Sequence, residues 1–270
     1  MRKIHAFVAL LLVGSTTILS AKEGAPLVTE ARSKAEAKAK ANAEPTIRVL
    51  IAKDVNAALL EVRGSYCVVK EGTKEQLSSG STGKRFVVQS IAEGLRWGEE
   101  YPDVYEISVL PRSLSTMMYV NGMQYKGSLT IYCTPNREIS IVNEVAIEDY
   151  LKSILTAEGA PLSPEAMASL VIAKRTAAYV AAMQNKDTTK LYDVAASETH
   201  YFGHGVTMQK GGVDEIVENT KHIVLMNGTA PVLNVAFTKE NAEELASKGY
   251  DAKKILKTIC PEGSLSVSVR

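Results

Sequence analysis

The stretch from Pro164 to Gln184 limits what the rest of this chain can be, because it is apolar nearly all round and has to be surrounded. It reads Ala-Met-Ala-Ser-Leu-Val-Ile-Ala and then Ala-Ala-Tyr-Val-Ala-Ala-Met around Lys174-Arg175-Thr176. A helix of that composition belongs at the centre of a domain. Its start is marked by Ser163, which suits a cap, by Pro164 at the first helical position, and by Glu165 near the positive end of the helix dipole. About 20 residues of helix span roughly 30 Å. Arg175 shares a face with Ile172 and Tyr179, so its guanidinium is expected near the interior, where it needs a carboxylate partner.

The residues just before this helix predict a strand over Ile139–Asn143 and a first helix carrying Glu148-Asp149-Tyr150-Leu151. Ile147, Leu151, Ile154 and Leu155 have the spacing that puts four side chains on one buried face. Glu148 and Asp149 stand where the dipole alone accounts for an acid. Glu158 differs, since it ends the first helix ahead of Gly159, Ala160 and two prolines, where regular structure stops. A carboxyl at the negative end of a dipole is disfavoured as an anion, and partial burial adds to that. A proton retained near neutral pH is what a general acid requires.

Upstream, short alternating segments predict strands at 47–52, 58–62, 66–70, 86–90, 105–110, 118–120, 129–133 and 139–142, with turns at Arg63-Gly64, Glu71-Gly72 and Asn121-Gly122. The class is α+β: an N-terminal, mostly antiparallel β half at 46–142, a central buried helix pair at 143–185, and a mixed C-terminal segment at 186–270. Before it, Arg2-Lys3 and the apolar run Ile4–Leu19 ending at Ser20-Ala21 have the layout of a secretory signal peptide over 1–21, too short for a membrane span. Left uncleaved, the segment would tether the same domain to the membrane. Residues 22–45 are rich in Ala, Lys and Glu, with no large apolar side chain between Val28 and Ile47, and are expected to form a tether.

Removing Arg2 and Lys3 turns the formal charge of +1 into about −1. So neutral a chain lacks the basic footprint of a nucleic-acid binder. Cys67, Cys133 and Cys260 have no metal-ligand spacing and read as buried small hydrophobes. Gly80–Arg85 fails as a phosphate loop because Arg85 stands where Ser or Thr must hold magnesium. Asn227-Gly228-Thr229 reads as a hairpin turn and not as a glycosylation site. The loop Asp193–His204 gathers Thr199, His200, Tyr201, Phe202 and His204, and aromatic faces beside hydroxyls suit sugar rings.

Tyr125-Lys126-Gly127, Ile141-Val142-Asn143, Glu148-Asp149-Tyr150-Leu151, Glu158 before a Pro-containing turn, Glu165-Ala166, Ala173 and Arg175-Thr176 resemble the SpoIID/LytB family in order and spacing. Ile255-Leu256-Lys257 to Pro261-Glu262-Gly263 is similar to that family's closing segment. The resemblance covers Ile47–Arg270. It implies an exported protein of the periplasm or cell envelope that cleaves MurNAc–GlcNAc bonds in peptidoglycan strands already stripped of stem peptides, acting after an N-acetylmuramoyl-L-alanine amidase. It makes Glu158 the catalytic acid and Arg175, Asp149, Thr199, His200, Tyr201 and Tyr125 the residues that bind substrate.

Some family members hold zinc through Cys and His in the region matching Asp193–His204. This chain has no Cys there, so neither metal nor cofactor is expected. The chain also departs from the pattern at Leu170 and Ala177, where the family usually has Gln and Tyr. The alternative reading is a non-catalytic module that binds glycan or enhances an amidase.

Overall fold

The computed structural model describes residues 44–158, 162–185, 190–205, 212–232 and 237–267, with the Glu158 side chain outside that set. The expected signal segment, all but the last two residues of the expected tether, and the elbow at 159–161 lie outside the described residues. Twelve strands come first. They are β1 (Thr46–Val55), β2 (Ala57–Arg63), β3 (Tyr66–Lys70), β4 (Gln76–Gly80), β5 (Lys84–Ile91), β6 (Gly94–Trp97), β7 (Glu99–Pro102), β8 (Glu106–Pro111), β9 (Met117–Val120), β10 (Met123–Tyr125), β11 (Ser128–Cys133) and β12 (Ile139–Ala146). All eight strands expected from alternation form. The four that alternation does not mark, β4, β6, β7 and β10, are short.

Then come α1 (Ile147–Glu158), α2 (Pro164–Gln184), β13 (Val194–Ala195), α3 (Ala196–Thr199), α4 (Val213–Asn219), β14 (Ile223–Asn227), β15 (Ala230–Pro231), α5 (Lys239–Ser247), α6 (Ala252–Ile259) and β16 (Ser264–Val267). The strands make a seven-stranded sheet in the order β13-β1-β12-β11-β8-β3-β4, a six-stranded sheet β10-β9-β2-β5-β6-β7, and a three-stranded sheet β15-β14-β16. Every ladder is antiparallel except β1 with β13. The fold is α+β, with the β half first and the helices after it.

Turn chemistry accounts for the hairpins. Asn121 and Gly122 both have positive φ, 50° and 86°, as the two-residue turn between β9 and β10 demands. Asn227 pairs with Ala230, so Gly228-Thr229 is the tight turn of a hairpin.

One apolar cluster joins the two large sheets to the helices. Ile47, Leu129, Ile131 and Ile141 come from the first sheet, Leu60, Val88 and Trp97 from the second, and Ile147, Leu151, Ile154 and Leu155 from α1. All four α1 residues are at most 3% exposed, as their spacing requires, each stabilising the fold by roughly 1.5–3 kcal/mol. Trp97 is fully buried and its indole N–H donates to the Leu60 carbonyl at 3.1 Å.

α2 packs against α1, α4, α5, α6, β1 and β14, so it is the central helix its composition called for. It is long and apolar enough to cross a membrane, yet half of it is buried inside the domain and it carries a fully buried arginine, as a core helix does. Its first turn departs from expectation. Ser163 makes no side-chain cap, because its N–H and hydroxyl both donate to the Glu243 carboxylate at 2.9 Å. Glu165 serves another helix, accepting from the Ala252 N–H at the start of α6 at 2.7 Å. Cys67 and Cys260 are buried, Cys133 is only half-buried with Ser90 beside its sulfur, and all three are free thiols.

Candidate active site

α1 begins where β12 ends, so its first turn is fixed to the middle of the large sheet. Two consecutive acids there point in different directions. Glu148 is turned inward and meets Arg175 in a two-pronged ion pair, Nε to Oε1 at 2.9 Å and Nη2 to Oε2 at 2.8 Å. Arg175 is fully buried, and its remaining donors reach the Val217 carbonyl at 3.1 Å and the Thr220 hydroxyl and Ile223 carbonyl at 3.3 Å. The neighbouring Thr176 accepts from the Leu225 N–H at 2.9 Å. Arg175 thus ties α1, α2, the end of α4 and the start of β14 together, and in this structure it does not reach a surface where a glycan could touch it.

Asp149 points outward instead and pairs with Lys126 at 2.8 Å, its side chain 26% exposed. That contact joins the Tyr125-Lys126-Gly127 turn to α1. Gly127 belongs in the turn because a Cβ there would lie 1.9 Å from the Glu144 carbonyl oxygen, at a φ of 80°.

Tyr201 lies beneath the same turn. It is 3% exposed, its hydroxyl donates to Asn143 Oδ1 at 2.7 Å, and the Asn143 amide donates on to the Lys126 and Ser128 carbonyls. Its ring packs against Tyr150 and Tyr125, with centroids 5.5 and 6.1 Å apart. Burial pushes the Tyr201 phenol well above its ordinary value and the Tyr125 phenol up to about 12, so both stay neutral hydrogen-bonding groups. Burial, followed by the charge of Lys126, lowers the His204 imidazole below its ordinary value.

His200 sets the direction of the loop. It takes the left-handed conformation, φ 55°, at the end of α3, which turns His200 outward and Tyr201 inward. Thr199 is half-buried, its hydroxyl donating to the Ala195 carbonyl at 3.1 Å. Gly203, at φ 70°, approaches Gln124 so closely that a Cβ would sit 2.3 Å from its carbonyl, while its own carbonyl accepts from Ser153 at 2.8 Å. The exposed aromatic of this loop is therefore Phe202, 47% exposed, and not Tyr201.

A cleft of about 510 Å³ opens at the other end of α1. Ala157, the residue before Glu158, lines it, with Leu170 and Lys174 from α2, His200 from the loop, and Phe237, Thr238 and Lys239 at the start of α5. Of the residues singled out in the sequence as site candidates, His200 is at the cleft and Glu158 is one position from it. Tyr125, Tyr201 and Asp149 gather around the first turn of α1, and Arg175 stands apart with Glu148. Glu148, Lys174, Phe237 and Lys239 carried no site reading. Glu148 was legible from helix phase, since it precedes Leu151 and Leu155 on their face by three and seven positions. Among the described residues, no three His, Cys, Asp and Glu side chains come together as a metal site.

Comparison with known sequences agrees with the motifs. The family model described as SpoIID, stage II sporulation protein, matches residues 135–227, which hold β12, both long helices, the loop and the arginine's partners on α4 and β14. An uncharacterized protein of Chlamydia muridarum (strain MoPn / Nigg) is 38% identical over 226 residues, covering 83% of this chain and 78% of its own. One of Chlamydia pneumoniae is 35% identical over 215 residues, covering 79% and 78%. No solved structure matches. The chain belongs to the SpoIID family. That family is generally linked to peptidoglycan lytic activity and to the cell envelope.

Proposed function

We propose that this protein is an exported lytic transglycosylase that cleaves MurNAc–GlcNAc bonds in glycan strands lacking stem peptides. One observation carries the reading: in a SpoIID-family chain, the helix that ends in Glu158 runs out at the edge of a cleft lined by Phe237, Thr238, His200, Lys174 and Lys239. Such a lining suits a sugar, whose C–H faces stack and whose hydroxyls seek polar partners.

In this mechanism Glu158 gives its proton to the glycosidic oxygen as the C1–O bond breaks. The resulting carboxylate takes the proton of the muramyl C6 hydroxyl as that oxygen attacks C1, closing a 1,6-anhydro ring and restoring the acid. The substrate supplies its own nucleophile, so a second carboxylate of the kind ordinary glycosidases use is not required. Arg175 acts as a positioning residue, holding α1 against α2 through Glu148, while His200 and the half-buried Phe237 meet the glycan.

Digestion of amidase-treated glycan tests this directly. Anhydromuramyl ends should appear with the wild-type protein and fail to appear with Glu158→Gln. A second reading has an observation of its own: Leu170 places an apolar side chain in the cleft wall where the family usually has Gln. On that reading the protein binds denuded glycan or enhances an amidase without cutting, and intact strands would be recovered bound to it.

A further inference from the structure

Ser163 and Glu165 have the types that open a helix, yet in the first turn of α2 their side chains reach out to the two helices that close the cleft. Ser163 donates its N–H and its hydroxyl, each at 2.9 Å, to one carboxylate oxygen of Glu243 on α5. Glu165 accepts from the Ala252 N–H of α6 at 2.7 Å. The Glu243 carboxylate thereby stands at the positive end of a 21-residue helix whose own N-cap side chain makes no capping bond. Its two bonds from Ser163 are charge-assisted, the stronger kind of polar contact. Beside them, Ala166 and Ala242 are fully buried in one apolar cluster with Ile255, against which Leu162 and Phe237 pack. Apolar contact of that kind is non-directional, whereas the bonds to Glu243 have a set direction and length.

This clasp lies close behind the cleft. Glu243 is about one helical turn after Lys239, and Ser163 about two turns before Leu170, while Lys239 and Leu170 line the cleft from α5 and α2. The distances are about 6 Å along one helix and about 10 Å along the other. Thr238 accepts from the Asn241 N–H at 3.2 Å, which joins the lining residues to the helix that carries Glu243. We propose that Glu243 is a positioning residue for the reaction in this cleft: through Ser163 it sets where the wall of Phe237, Thr238 and Lys239 lies relative to α2. The inference rests on the reading that glycan is cut there. A misplacement of about 1 Å in groups that orient a substrate can lower the rate on the order of 10²-fold. Removing the carboxylate also frees Ser163 to cap α2, as its extended backbone allows, so the fold itself should lose little.

The test is the rate at which the full-length protein forms anhydromuramyl ends on amidase-treated glycan, measured beside thermal unfolding. Glu243→Ala should lower kcat/KM by about tenfold or more while Tm moves by a few degrees at most. Glu243→Gln keeps an amide oxygen able to accept from both Ser163 donors, so it should stay within about threefold of wild type. Ser163→Ala, which keeps the N–H and loses the hydroxyl, should fall between the two. Combined with Glu243→Ala, it should lower the rate no further than Glu243→Ala alone, because both remove the same contact. Glu244→Ala deletes the next acid of α5, which pairs with Lys248 in its own helix, and should leave the rate unchanged. A wild-type rate for Glu243→Ala overturns the inference and leaves the reaction standing. So does an equal loss with Glu243→Gln, or a loss that only follows a collapse of Tm, since either makes the residue something other than a positioning group. Wild-type protein that forms no anhydro ends removes the reaction, and this inference with it.

Discussion

The two ends of α1 carry the same residue type in opposite circumstances. At the start, Glu148 is buried against a fully buried guanidinium and Asp149 is paired with Lys126, both where the helix dipole favours negative charge. At the finish, the last turn holds no basic residue to meet the dipole, and the helix runs out beside a cleft. A carboxylate that is doubly hydrogen-bonded and enclosed can hold elements together but has no access to a substrate. One at a helix end beside an open cleft can have it. The contrast predicts that changes at the first end act on stability and changes at the second on turnover.

The largest expected effect is at the cleft end. Glu158→Gln should lower the release of anhydro products by about 10² to 10⁴, the usual loss with a missing general acid, while glycan affinity changes only a few-fold and the thermal midpoint stays put. A variant retaining more than about a tenth of the wild-type rate would move the acid elsewhere, with Asp149 next to test.

At the buried end, Glu148→Ala leaves a guanidinium in the interior without its counter-charge. The expected cost is about 3–5 kcal/mol, or roughly 6–20 °C in Tm for a domain of this size, read by thermal unfolding. Arg175→Lys keeps the charge and loses the fork, so it should cost less. The double variant Glu148→Leu/Arg175→Met should recover most of the stability. If it also recovers product release, the pair is purely structural; stability without activity would show that Arg175 sets the geometry of the cleft.

Tyr201→Phe sharpens the comparison at the loop. It deletes a buried hydroxyl and leaves Asn143 Oδ1 without that donor, a loss of about 1–3 kcal/mol by chemical denaturation. A strong fall in glycan affinity with unchanged stability would instead bring Tyr201 to the substrate.

The smallest effect lies in the second sheet, where Glu99 on β7 accepts from Lys84 on β5, from Ser78 on β4 and from Tyr101 two positions along its own strand. Partial burial alone would raise its carboxyl, but those hydrogen bonds outweigh it and hold the group at about 2 instead of 4.5. Because the folded value lies below the unfolded one, this stabilisation is complete above pH ~4.5 and disappears as pH falls towards 2. With Glu99 45% exposed, it is worth about 0.2–1 kcal/mol. Glu99→Gln should therefore lower stability slightly at pH 7 and flatten its fall between pH 4.5 and 2 in urea titrations.

What could be read from the sequence followed local chemistry. Alternation marked the strands that carry β-branched and aromatic side chains against the core. It could not mark β4, Gln-Leu-Ser-Ser-Gly, or β7, Glu-Glu-Tyr-Pro, which occupy the edges of their sheets and owe their shape to the neighbour they pair with. The need of Arg175 for a buried acid was legible, and helix phase would have picked Glu148 over Asp149. The direction of Tyr201 was not, because it depends on one left-handed residue, His200, whose type does not require that conformation. Nor was the cleft, whose described walls come from residues 157, 170, 174, 200 and 237–239 and share no local pattern.

The pairing of β1 bears on how such a chain comes to be folded. This first strand lies between β12 and β13, and Arg48 bonds the Asp193 carboxylate, 145 positions later, and the Asn185 and Lys190 carbonyls. On a chain emerging in order from its N-terminal end, β1 must therefore wait for β12, which begins at Ile139, before one long edge is covered, and for β13, which begins at Val194, before the other is. Closing a loop of that size comes before the contacts that reward it, which makes high contact order, and not the strength of any one helix, the expected limit on folding rate. Until then β1 is an open edge carrying Ile47, Val49 and Leu50, the place where two unfinished copies would pair first.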